Sequence, residues 1–199
     1  MVMATGKRES LTANDWTAAA LEALARGGLG AVAVEPLAKS LGTTKGSFYW
    51  HFADRNALVA AALERWERRD TDRVIATVEQ APDADARLRD LLRLVFTDVL
   101  GDPGVGAGSV ELALQATATH PLVAPTLARV TERRLAYLTS LFTESGLSPA
   151  RARDRGLLAY AAFLGHAQLA HSTPQFVPSG RALAGHVDRL IQTLTWVKQ

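Results

Sequence analysis

Between Val34 and Phe52 the chain reads VEPLAKSLGTTKGSFYWHF, two short helix-forming runs broken by one glycine. This spacing constrains the fold more than any other feature. Glu35 and Pro36 suit a first helical turn, Leu37, Ala38 and Leu41 supply an apolar face, and Gly42 offers the positive φ that ends it. Thr43 or Thr44 can cap the next helix, over about Lys45 to His51. Helix, glycine turn, short helix is the helix-turn-helix layout. Ala38 lets the two helices approach, and Phe48 and Phe52, four apart, share one face and belong to the core.

The flanking segments read as helices too. Thr12 and Asp15 form a capping-box pattern, and Ala, Leu and Trp recur at helical spacing until RGG stops a first helix over about Leu11 to Arg26. A fourth helix starts near Asp54, with Leu58, Ala62, Leu63, Trp66 and Val74 on its buried side. Further on, APDADARLRDLLRLVFTDVLGDPG carries Leu88, Leu91, Leu92, Val95, Phe96 and Val99 on one side. More helices are expected over about Ser109 to Thr119, through HPLVAPTLARVTERRLAYLTSLFTESG, over Leu157 to Ala170 after LSPARARDRG, and over about Arg181 to Val197. Strand signals are weak. The reading is all-α: a three-helix head with a helix-turn-helix over 1–55, then a larger helical body over 56–199 for effector binding and dimerisation.

Composition narrows the function. Of 199 residues 48% are hydrophobic and 21% charged, ordinary values for a soluble globular protein. There is no cysteine, which excludes a cysteine nucleophile and thiolate metal sites and is compatible with a reducing cytoplasm. The N-terminus lacks the apolar core of a signal peptide. The charge-free Leu157 to Ala170 run is shorter than the about 20 residues that span a bilayer. A net charge of +2 permits a polyanionic partner without requiring one. The glycine-rich Gly101 to Glu111 lacks the Lys-Ser/Thr ending of a phosphate loop. The five histidines, His51, His120, His166, His171 and His186, are scattered, and no Glu-x-x-His pair is present, so no metal and no cofactor is expected.

What remains is the cluster TTKGSFYWHF. With Phe48 and Phe52 inside, Thr44, Lys45, Ser47, Tyr49, Trp50 and His51 can point outward, one cation and several hydroxyls among amphipathic aromatics. Such a face suits phosphate and groove contacts. On chemistry alone, Tyr49, Trp50 and His51 are as consistent with an interdomain contact as with DNA.

From Leu37 to Leu58, LAKSLGTTKGSFYWHFADRNAL resembles the TetR family of bacterial transcriptional regulators, over about the N-terminal quarter of the chain. The resemblance implies a homodimer that binds a DNA operator with its heads, takes a small-molecule effector in its body, and mates through its last two long helices. It further implies that Thr44, Lys45, Gly46, Ser47, Tyr49, Trp50 and His51 line the recognition helix, that Arg55 binds phosphate, and that the usual role is repression. One departure stands out. Where many members carry Thr, Ser or Arg at the start of the second helix, this chain has AVEP, Ala33 to Pro36, so phosphate contacts there should be poorer, with Lys7, Arg8 and backbone amides to compensate.

In the body, a mostly apolar effector pocket is expected from Trp66, Phe96, Leu112, Gln115, Tyr137, Tyr160, Phe163 and His166, with Gln115, Tyr137 and His166 as its polar contacts. The competing reading is that most of these are plain core. A scarcity of buried acids argues against a cationic ligand. Leu183, Val187, Leu190, Leu194 and Val197 alternate in steps of four and three, a seam against other helices. With Ala161 and Gly165 on the neighbouring helix, they are candidates for the dimer interface, against an intramolecular seam as the alternative. An all-helical enzyme is the rival function, and it would need convergent carboxylates; Glu111 is the only acid between Gly104 and Pro125. The chain is therefore expected to be a cytoplasmic regulator rather than an enzyme.

Overall fold

The computed structural model describes residues 11–101 and 107–195. Helix α1, Ala13–Gly27, opens on the expected capping box: the Thr12 hydroxyl accepts from the Asp15 amide at 3.4 Å, and Asp15 Oδ2 accepts from the Thr12 amide at 2.7 Å. These bonds to Thr12 hold the Asp15 carboxyl below its ordinary pKa. Trp16, Ala20 and Leu24, four apart, are buried, and Gly28 ends the helix at φ 67°.

Helix α2, Val34–Ser40, and α3, Lys45–Tyr49, flank the turn at Gly42, whose φ of 64° is the conformation for which that glycine was expected. Helix α3 is shorter than the sequence suggests, because Trp50 and His51 continue as a turn. Phe48 is fully buried, edge-on to Trp16 at 5.3 Å and stacked with Phe52 at 5.7 Å, so one side of α3 is anchored and the other is left outside.

Asp54 caps α4, Arg55–Glu67, its side chain accepting from the Ala57 amide at 2.8 Å. The helix then widens into a π-helical turn, Arg68–Asp72, and continues as α5, Arg73–Val78. A single rod thus runs from the head into the body. Around it stand α6 (Ala84–Gly101), α7 (Ala107–Gln115), α8 (Ala124–Glu144), α9 (Pro149–Ser172) and α10 (Arg181–Thr195). Helix α9 starts about two turns earlier than its charge-free run, because Pro149 is well placed in a first turn and the arginines after it lie on solvated sides.

Two apolar clusters hold the molecule. One joins Trp16, Phe48, Leu58, Leu63 and Trp66 of the head and α4 to Val110, Leu114, Leu127 and Val130 of α7 and α8. The other packs α6 against α8, α9 and α10. Val187 and Leu194 are buried in that second cluster, and Leu183 and Leu190 pack against it. The α10 seam is therefore internal, a correction to its assignment as a dimer surface: its steps identify a helix partner, and that partner is mainly α6. Val197, Lys7 and Arg8 lie outside the described residues, as do 102–106 of the glycine-rich loop. Among the described residues no helix is long and apolar enough to cross a membrane.

Candidate DNA-binding and effector sites

The outward side of α3 carries what the sequence placed there. Thr44 caps the helix, its hydroxyl accepting from the Ser47 amide at 3.4 Å. Thr44, Lys45 and Gly46 are exposed, and Ser47 and His51 half-buried. Tyr49 is 56% exposed and Trp50 88%, the highest exposure of any large apolar side chain among the described residues. Lys45 Nζ lies 3.0 Å from Glu35 Oε1 of α2, and that hydrogen bond raises the Lys45 pKa. Both partners are exposed, so the pair is weak and a stronger anion can take the ammonium from Glu35.

Arg55 finds partners inside the head. Its Nε donates to the Val32 carbonyl at 2.6 Å and its Nη2 to the Leu29 carbonyl at 2.5 Å. The guanidinium thus braces the turn between α1 and α2, where the Leu29 carbonyl also accepts from the Val32 amide at 3.3 Å. Each hydrogen bond from a charged donor contributes about 1.5–3 kcal/mol. Arg55→Ala should accordingly lower stability by roughly 3 kcal/mol in urea unfolding, and Arg55→Lys should recover little, since one ammonium cannot span both carbonyls. A stability change within 0.5 kcal/mol (about the scatter of ordinary surface substitutions) would show the guanidinium to be free after all.

In the body a cavity of about 230 Å³ lies between the π-turn, α5, α6, α8 and α9. Of the eight expected effector residues, Tyr137, Tyr160 and Phe163 line it. The other five do not. Trp66 is fully buried one layer away, with the Arg134 guanidinium 5.3 Å above its ring. Phe96 is core, edge-on to His166, and Leu112 packs against the second cluster. His166 faces away from the cavity: its Nε2 is 3.4 Å from Nε2 of His186, and its Nδ1 lies 2.7 Å from the Ala162 carbonyl. Burial, then His166 and Arg189, push the His186 pKa down. Gln115 borders a separate open groove between α8 and α9, and its amide donates to Glu111 at 3.1 Å.

The polar end of the cavity was not foreseen. Glu111, 1% exposed, accepts from Arg134 Nη1 at 2.6 Å and from the Tyr160 hydroxyl at 3.3 Å. Arg134 also donates to the Thr71 hydroxyl at 3.0 Å and to the Asp70 carbonyl at 3.2 Å, both in the π-turn. Burial opposes the Arg134 charge, but Glu111, Tyr160 and Asp70 outweigh it and raise the pKa. Burial, reinforced by Glu111, pushes the Tyr160 hydroxyl up, and burial with the bond to Glu79 does the same to Tyr137. Three acids, Asp70, Asp98 and Glu111, border the space, so it is less acid-poor than the sequence suggested.

On α9, Ala161 and Gly165 are exposed, and they lie in a row with Leu157 (58%), Leu158 (52%) and Leu169 (47%). A Cβ on Gly165 would meet nothing within 4 Å.

A helix-turn-helix head continued by one helical rod into a cavity-bearing body is the layout of a DNA-binding module joined to a helical body. Residues 17–62 match the family described as bacterial regulatory proteins, tetR family. The similarity to the tetR family is thus carried by the helix-turn-helix head. Solved structures share its fold along almost the whole length. A transcriptional regulator of Rhodococcus sp. Rha1 is 21% identical with a TM-score of 0.74, over 94% of this chain and 100% of that one. A regulator of Saccharomonospora viridis in complex with choline is 21% identical with a TM-score of 0.74, over 90% and 95%. FadR of Bacillus subtilis, in complex with stearoyl-CoA, is 16% identical with a TM-score of 0.71, over 94% and 99%. No curated protein matches in sequence.

Proposed function

We propose that this regulator is a homodimeric repressor of the cytoplasm that binds a palindromic operator and releases it when a small, mostly apolar effector enters the body. In this reading residues 1–55 read DNA, and residues 56–199 bind the effector and the second subunit. The observation that carries it is Trp50, 88% exposed beside Tyr49 on a helix pinned from beneath by Phe48. Thr44, Lys45, Ser47, Tyr49, Trp50 and His51 would meet phosphates and base edges. Gly46 would let the backbone come close: a Cβ there would meet only Thr44 Oγ1, at 3.6 Å, so nothing inside the protein demands glycine. Twofold mates would set two such helices in successive major grooves about 34–36 Å apart.

For the subunit contact, the exposed α9 row of Leu157, Leu158, Ala161, Gly165 and Leu169 takes the place of the α10 seam. The relatives solved with choline and with stearoyl-CoA support an effector role for the body cavity. No cofactor or catalysis is invoked, since the Glu111 carboxylate is already engaged by Arg134, Tyr160 and Gln115. Selection of bound duplexes from a random pool at low salt tests the reading. A palindrome should be enriched and sedimentation should give a dimer. Failure to enrich any palindrome sinks the operator, and a monomer bound to a single half-site sinks the dimer.

A further inference from the structure

The polar groups around the body cavity already satisfy one another, and this limits what else the space can take. Glu111 is closed off by Arg134, Tyr160 and Gln115. Asp70 is paired with Arg69. Asp98, exposed at the edge, is engaged as well. Thr71 and Tyr137 have their hydroxyls bonded to Arg134 and Glu79, and the remaining wall is mostly hydrocarbon, including Val74, Leu91, Leu92, Val95, Leu138 and Phe163. An ionised ligand would have to leave its charge uncompensated among these side chains, which burial disfavours. An uncharged one would not.

Arg134 leaves one opening. A guanidinium has five N–H groups; the bonds to Thr71, Glu111 and Asp70 use one on each nitrogen and the Tyr160 hydroxyl takes a fourth, so one N–H is left over. A ligand oxygen beside Arg134 can accept from it without disturbing the Glu111 pair. The space, about 230 Å³, exceeds the roughly 150 Å³ cavity that holds benzene, but it is far too small for a coenzyme A thioester as a whole.

We propose that the cavity takes a compact uncharged molecule, an apolar body with one carbonyl-type acceptor such as a ketone, ester or lactone, whose oxygen is received by Arg134. This rests on the reading of the cavity as the effector site and names the effector's chemical class. It also gives occupancy a physical route to the head. Arg134 bonds the Asp70 carbonyl and the Thr71 hydroxyl in the π-turn of the rod whose other end follows α3, so a guanidinium drawn toward a ligand pulls on that turn. Single π-turns inside helices are frequent at functional sites because they carry irregular backbone bonding that can be rearranged.

The test is a matched eight-carbon series, 2-octanone, octane, octanoate and octylammonium, added to the full chain at pH 7 while thermal unfolding is followed. The ketone should raise Tm by about 3 °C or more. Octane should raise it less, and neither ion should exceed the solvent control. If either ion stabilises as much as the ketone, or if none of the four stabilises, the proposal is wrong. Arg134→Lys keeps a cation opposite Glu111 but loses the planar fork, so calorimetry should show ketone affinity falling at least tenfold with octane unchanged. Equal effects on both probes would overturn the role of Arg134. Should that variant not fold, the wild-type series still decides. The same probes added to a protein–operator complex separate this proposal from the regulator reading. An ion that binds and releases DNA would overturn the ligand class alone, whereas absence of sequence-selective DNA binding would overturn the regulator and leave the ketone result standing.

Discussion

Arg134→Met is expected to destabilise the protein by about 3–5 kcal/mol, the range for breaking one side of a buried ion pair, and to lower Tm by roughly 10 °C. The Glu111 carboxylate, 1% exposed, would lose the cation it is paired with. The Asp70 carbonyl and Thr71 hydroxyl would lose a donor, and Trp66 the guanidinium above its ring. Urea titrations of wild type and variant would measure the loss. Adding Glu111→Gln should recover most of the loss, because it removes the stranded charge and keeps an acceptor for Tyr160 and Gln115. A loss below about 1 kcal/mol, the size of an exposed pair, would mean that water reaches the pair in solution.

That cluster marks where the sequence stopped being legible. Thr12 with Asp15, Gly42 at its turn, and Phe48 inside with Trp50 outside were readable because each depends on neighbours within one or two helical turns. The cavity gathers Asp70, Glu111, Arg134 and Tyr160 from four separate helical segments, and no local period relates them. One signal was available: a lone glutamate in the uncharged run GSVELALQ cannot stay buried without a cation. Which cation it finds depends on how α7 meets α8. The partners of Arg55 were hidden for the same reason, since the carbonyls it binds lie on the far side of α2 in the chain, at Leu29 and Val32. The α10 steps were right about helix packing and silent about the partner. Val187 and Leu194 turn toward α6 in their own subunit, and the unpartnered apolar row is on α9.

The recognition surface gives the other large expected effect. Trp50→Ala should leave stability within about 0.5 kcal/mol of wild type, because an 88% exposed side chain has little packing to lose. Operator affinity should nevertheless fall about 100-fold or more: a good base or groove contact contributes roughly 1–3 kcal/mol, and a twofold dimer loses it at both half-sites. Phe48→Ala is the contrasting control. It empties the space beneath Trp16 and Phe52 and should cost about 3–5 kcal/mol, so its DNA binding would fail together with the fold of the head. Lys45→Ala separates positioning from reading. If the ammonium leaves Glu35 for a phosphate, the salt dependence of binding should flatten by about one unit per subunit, with the ranking of duplexes unchanged. If it reaches a guanine instead, the ranking itself should change. Gel shifts of the three variants on the selected operator and on scrambled duplexes, each at two salt concentrations, resolve these cases. Undiminished operator affinity in folded Trp50→Ala would remove the exposed indole from the interface and with it the main support for α3 as the reading element.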